Sequence, residues 1–306
     1  MNTQSFAAMK SQVQLGVACA LCAAGLYGLV PNFVRGAFNN GIPPVEATLF
    51  RTTVITLAFA LLATLQGERL RVPREALAVF SGQAAATLIV SVSYLASVQF
   101  IPVGLAVIIF FTFPVLIMLV SPLVEGRSPG MWRILIAILA FIGITVAIGP
   151  SFAGLDLRGV GLATLASLGG AAQFFTGRSI SRYMRPAVFG SLVHLAIWPA
   201  TLLVALYVGN GTLQLLPGNA GTVPGLYFLV GVAAVYVVAY MLQMLSLRYA
   251  PASTVVPFYN LEPILTTVFA GFLFDERLTI NQYAGGGIVL AALVISSLLP
   301  SQEAGA

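Results

Sequence analysis

The side chains best equipped for chemistry sit together in one apolar stretch. From Pro251 to Pro263 the chain reads Pro-Ala-Ser-Thr-Val-Val-Pro-Phe-Tyr-Asn-Leu-Glu-Pro, which sets Tyr259, Asn260 and Glu262 between Pro257 and Pro263. A carboxyl group can hold a proton or a cation, and a carboxamide both donates and accepts hydrogen bonds. A proline within a helix removes one hydrogen bond and pushes off the carbonyl four residues earlier, so Pro257 loosens Ser253 and Pro263 loosens Tyr259. The stretch runs on, apolar, to Phe274, about long enough to cross a bilayer. Polar groups and freed carbonyls at mid-membrane are costly unless they face a wet cavity. These residues point to the working segment of a membrane transporter, with Glu262 as coupling acid and Tyr259 and Asn260 as solute contacts.

Other polar residues fall at helical spacing. Gln83, Thr87, Ser91 and Tyr94 share one face, and so do Tyr236, Tyr240 and Gln243; an offset of 149 residues superposes the second set on Thr87, Ser91 and Tyr94. Two matching faces suggest the walls of one cavity, to which Tyr27 in the first apolar run adds a further phenol. Polar seals between helices are the plainer alternative. Arg51 is the basic residue well inside a span, and aligning residues 46–51 with 189–194 pairs it with His194, the lone histidine. In oppositely oriented halves the two would lie at mirror depths, as gates or anion contacts; snorkelling of Arg51 and an interhelical bond from His194 are the plain alternatives.

Composition narrows the class. The 306 residues are 59% hydrophobic and 8% charged, with a mean hydropathy of +0.98, against about 25% charge in a soluble domain. The chain is an integral membrane protein, and the lipid bilayer is its first partner. Lys10 is the only lysine, which excludes a GxxxxGK phosphate loop. The net charge of +5 comes from arginines in short loops, so membrane topology rather than nucleic acid explains it. Cys19 and Cys22 lack a second ligand pair, and one histidine rules out a His-rich centre, so neither metal nor cofactor is expected. Ser191 and His194 stand three apart on one helix, but no glycine loop of oxyanion type accompanies them, and no catalytic residue is assigned.

Apolar runs bounded by charge, proline or glycine fall at 15–34, 44–66, 75–100, 102–124, 131–148, 157–177, 187–208, 223–249, 251–274 and 279–299. Each approaches the ~20 residues a bilayer demands, which predicts an all-α polytopic protein of ten helices. Residues 1–14 and 300–306 are left as tails. With a cytoplasmic N-terminus, Lys10, Arg69, Arg71, Arg74, Arg127, Arg133, Arg178, Arg182, Arg185 and Arg248 lie inside and only Arg35, Arg158 and Arg277 outside. The positive-inside rule then puts both termini in the cytoplasm.

The chain also repeats. Pro102 to Pro114 matches Pro251 to Pro263 at a constant offset of 149, and Gly16 and Gly25 match Gly161 and Gly170 at 145. Phe110, Phe111, Thr112 and Phe113 thus correspond to Tyr259, Asn260, Leu261 and Glu262. The repeats occupy 15–149 and 157–299, and five helices in each make them inverted, the design by which many secondary transporters alternate access.

Paired prolines in the fourth and ninth helices, acidic ends at Glu125 and Asp275-Glu276, a Tyr283-Ala-Gly-Gly-Gly-Ile closing helix and Arg51 early in the second helix form a pattern. It resembles the EamA-type transporters of the drug/metabolite transporter superfamily, over nearly the whole chain. The resemblance implies a bacterial inner-membrane protein that exports or exchanges small metabolites, with a cavity lined mainly by helices one, three, four, six, eight and nine. The chain departs from the usual pattern at Glu125-Gly126 and at Asp275. Together the residues predict a secondary transporter of a small amphipathic solute, such as an amino acid, a relative of one or a drug, coupled to protons through Glu262. An exchanger without a proton step, and an intramembrane hydrolase or scaffold, are the alternatives. Oligomeric state is left open.

Overall fold

Proline and glycine punctuate an otherwise continuous series of helices. The computed structural model describes residues 3–98, 100–126, 130–149, 156–213, 223–275 and 279–298. The helices are α1 (Thr3–Asn39), α2 (Pro44–Leu65), α3 (Leu77–Ser97), α4 (Val103–Phe110), α5 (Phe113–Val124), α6 (Met131–Ile148) and α7 (Leu157–Ile180). Then come α8 (Pro186–Val208), α9 (Val223–Tyr249), α10 (Ala252–Val255), α11 (Leu261–Phe274) and α12 (Ile280–Leu298). Short 3-10 turns cover Arg74–Ala76 and Val256–Asn260, and no strand occurs among the described residues.

Counting α4 with α5, and α10 with its 3-10 turn and α11, gives the ten spans expected from the sequence. Eight stretches of the described residues are long and apolar enough to cross a membrane by themselves. The two remaining spans are α7, diluted by glycine, serine, threonine and Gln173, and α12, whose apolar described part is Ile280–Ile295. Residue 14 is not a structural boundary: α1 starts at Thr3 and passes through it. The loop residues Arg127, Glu276 and Arg277 lie outside the described residues.

Spans four and nine, expected as single helices, are broken. Pro114 stands in the first turn of α5 and Pro263 in the first turn of α11. A proline fits there because its missing N–H has no helical partner at that position. The chain before each must leave regular α geometry, since the ring excludes the carbonyl four residues back. These carbonyls belong to the mates Phe110 and Tyr259, so both halves depart from α geometry there; span nine does so earlier, at Val256, whose mate Val107 still lies in α4.

The ten spans interlock across the repeat. α1 lies along α9, and their mates α7 and α3 lie along each other; α2 pairs with its own mate α8, and α6 with its mate α12. Every principal pairing therefore joins the two halves. Small residues permit the closest crossings. A Cβ on Gly28 would stand 2.9 Å from Leu265 Cβ where α1 meets α11, and one on Gly285 would stand 2.4 Å from the backbone nitrogen of Ala147 where α12 meets α6. The Asp156 side chain caps α7, accepting from Arg158 N at 2.8 Å and pairing with the Arg158 guanidinium at 2.7 Å. That partner holds the Asp156 carboxyl below the usual carboxylate range.

Candidate functional site

The interlocking brings the rings of both halves into one continuous assembly. Tyr27 of α1 meets Tyr236 of α9 edge-on at 5.7 Å and Tyr259 at 6.5 Å. Tyr259 meets Phe174 of α7 at 5.0 Å, and Phe174 stacks on Phe113 at 5.4 Å. Phe113 leads to Phe110, and Phe110 to Tyr94 of α3, each at 5.3 Å. These rings come from spans one, three, four, six, eight and nine, the six expected to line a cavity.

Glu262 sits on the wall of this assembly. It lies within electrostatic range of Tyr27, Tyr94 and Tyr259. The residue is deep inside the molecule, yet its side chain retains accessible surface. Among the described residues no hydrogen bond is made to its carboxyl. Asn260 beside it is fully buried, and neither its Oδ1 nor its Nδ2 has a hydrogen-bond partner. Buried polar atoms without partners are uncommon in folded proteins and call for an explanation beyond side-chain packing.

Several residues expected on the wall are engaged between helices. The Tyr27 hydroxyl donates to Gln243 Oε1 at 2.7 Å, tying α1 to α9. Its counterpart is the bond from Gln173 Nε2 to Thr87 Oγ1 at 3.0 Å, tying α7 to α3, while Thr176 donates to Gln83 Oε1. The carbonyl oxygens of Gln83 and Gln243 thus serve helix pairing, and the Gln83 amide nitrogen is left buried and unpartnered. Asn32, on α1, donates to the carbonyls of Gly28 and Thr266 at 3.2 and 3.0 Å, a clamp on α11.

Arg51 and His194 converge on one ring. Both meet Tyr236: Arg51 Cζ lies 4.0 Å from the ring centroid, and the His194 ring 5.9 Å away, edge-on. His194 also meets Tyr240 at 4.7 Å. α2 and α8 pack directly on each other, with Phe59 filling the space in front of Gly190. The serine–histidine pair is not formed. Ser191 Oγ donates to the Thr56 carbonyl at 3.0 Å, and His194 Nδ1 donates to the Gly190 carbonyl at 2.8 Å.

Sequence reasoning assigned no role to Glu125, and the structure supplies one. At the end of α5 its Oε1 accepts from Ala252 N at 2.8 Å and its Oε2 from Ser253 Oγ at 2.6 Å. Arg133 reaches Thr254 Oγ1 at 3.4 Å beside it. Broken spans four and nine are thereby fastened at one end. The available signal was the matching acidic ends of the two repeats. A separate depression of about 930 Å³, lined by Arg69, Arg71, Arg74 and Arg185, lies between the α2–α3 and α7–α8 connections, away from the rings. Among the described residues no cluster of three or more His, Cys, Asp or Glu could hold a metal.

The EamA-like transporter family model matches residues 14–149 and 157–298, one copy on each half. The chain belongs to the EamA-like transporter family. An uncharacterized transporter of Archaeoglobus fulgidus is 24% identical over 287 residues, covering 93% of this chain and 97% of its own. A second from the same organism is 23% identical over 211 residues, covering 69% of this chain and 72% of its own. A protein crystal structure superposes with a TM-score of 0.80 at 14% identity, over 92% of this chain and 97% of the other, and so shares the fold. This EamA-like chain is an integral membrane transporter built from two repeats.

Proposed function

We propose that this EamA-like protein is a secondary transporter that moves a small amphipathic metabolite by alternating access, with Glu262 carrying the coupled proton. The observation that carries the reading is the contrast at one repeat position. Glu262 is partly buried beside the ring assembly with no hydrogen bond to its carboxyl, whereas its mate Phe113 stacks on Phe174. A fold that accepts a phenyl ring at that depth does not need an acid to stand up, and ionisable groups inside membranes mark ion and solute pathways. The tyrosines suit the apolar part of an amino acid, a related compound or a drug, and the unpartnered Asn260 amide suits its polar end. The arginine bias of the loops supports cytoplasmic termini, and the family resemblance a bacterial inner-membrane location.

The test begins with a solute screen in overexpressing cells, scored by resistance and by release into the medium. Reconstituted protein is then assayed for solute-driven pH change. Glu262→Gln is expected to abolish the pH change while solute binding persists; undiminished proton movement rules Glu262 out. The three tyrosines around Glu262 also favour a second reading, in which the carboxylate holds a cationic group of the solute and exchange needs no proton. A flat pH dependence of exchange selects that reading.

A further inference from the structure

One cation in the ring assembly has no anion. Arg51 lies within α2, its guanidinium set over the Tyr236 face, and no carboxylate among the described residues pairs with it. Its Nε is buried and has no hydrogen-bond partner. The same is true of His194 Nε2 and the Tyr240 hydroxyl, on side chains that are each 1% exposed. Gln83 lies near enough to act on the Tyr240 hydroxyl, yet its Nε2 likewise makes no hydrogen bond. Arg51 Nε on α2 and His194 Nε2 on α8 thus stand unpartnered against the Tyr236–Tyr240 pair, with Gln83 of α3 beside the Tyr240 hydroxyl.

We propose that Arg51, His194, Tyr240 and Gln83 form a subsite for a monoanionic carboxylate that carries an adjacent hydrogen-bond donor. The inference deepens the transporter reading, on which it rests, by naming the charged end of the solute. Arginine meets a carboxylate through paired N–H groups in the guanidinium plane, and the Nε–H of Arg51 has no partner. The Tyr240 hydroxyl and the Gln83 amide supply further donors. His194 is different. A carbonyl only accepts, so the bond to Gly190 holds a proton on Nδ1; the Arg51 cation on the same Tyr236 ring opposes a second positive charge, which leaves Nε2 as an acceptor. The subsite therefore asks for an oxyanion and, beside it, an O–H or N–H. A single guanidinium balances one negative charge, which favours a carboxylate over a dianionic phosphate.

The test uses the full chain, purified in detergent, and three probes sharing one phenylpropyl frame: 3-phenyllactate, 3-phenylpropionate and 3-phenylpropylamine. Binding is read by thermal shift and by tryptophan fluorescence. Phenyllactate is expected to bind tightest, phenylpropionate up to about tenfold more weakly for want of one hydrogen bond, and the amine more weakly than either acid. Arg51→Gln should weaken both acids by about tenfold or more, and His194→Phe should erase the advantage of phenyllactate over phenylpropionate. The subsite is overturned if neither acid binds the wild type, if the amine binds as well as the acids, or if Arg51→Gln leaves acid affinity as it was. The wild-type ranking needs no variant and stands even if a substitution impairs folding. Wild-type protein that binds the acids but moves no solute across vesicles would overturn transport and leave the subsite. Exchange that persists in Arg51→Gln without any preference for acids would do the reverse.

Discussion

Asn260 and Gln243 are both carboxamides buried in the same assembly, yet their environments differ. Gln243 accepts from Tyr27, whereas both polar atoms of Asn260 are without partners. Removing one member of a satisfied pair exposes the cost of the other, while replacing an orphaned amide by an apolar group of like shape can be neutral or stabilising. Tyr27→Phe should therefore destabilise the protein by about 1 kcal/mol, a value close to that of interhelical bonds in membranes. It should appear as a lowered midpoint of thermal unfolding. Asn260→Leu should leave that midpoint unchanged or raised while solute exchange falls at least about tenfold, the cost of a recognition group being stability. A lower midpoint for Asn260→Leu would show that the amide serves packing.

At the scale of elements, helix breaks and helix crossings are decided by different residues. Ile108 takes the place of Pro257 in the first repeat, and span four still breaks, so Pro114 and Pro263 set the shared break while Pro257 accompanies its earlier start, the 3-10 turn at Val256–Asn260. The closing helix shows how close the crossings are. In α12, Gly285 faces the backbone of Gly143 and Ala147, where an added Cβ would approach to 2.4 Å; Gly287 has nothing within 4 Å. Backbone cannot swing aside as a side-chain tip can, and overpacking of this sort costs about 1–3 kcal/mol. Gly285→Ala should separate α6 from α12 and lower thermal stability by that amount, whereas Gly287→Ala should be neutral or slightly stabilising through helix propensity. Equal midpoints for the two variants would refute the crossing.

For the molecule as a whole, the salient feature is that the main helix pairs join one half to the other. Relative motion of the halves must slide these pairs or release the fastenings at the ends of the broken spans. Glu125 is such a fastening, holding Ala252 and Ser253 at the start of α10. Charge-assisted hydrogen bonds contribute about 1.5–3 kcal/mol each. Glu125→Ala is accordingly expected to raise hydrogen exchange of the Ala252–Val255 amides by about tenfold or more, and to bias the cavity toward that end. Unchanged exchange there would mean that packing alone keeps the end shut.

Ten apolar runs, the repeat and the proline positions were legible from residue order, because span length, hydropathy and proline geometry are local properties. Glu262 stood out for a similar reason: its repeat mate is a phenylalanine, and that comparison needs no coordinates. The fates of Gln83, Gln243 and Gln173 were not legible, since a helical stripe gives the face of a residue but not the partner it meets. Nor was the meeting of Arg51 and His194 on Tyr236, the hold of Glu125 on α10, or the difference between Gly285 and Gly287. Each depends on which helix of one half crosses which helix of the other, and at what approach, and that is settled only when all ten spans fill the same volume.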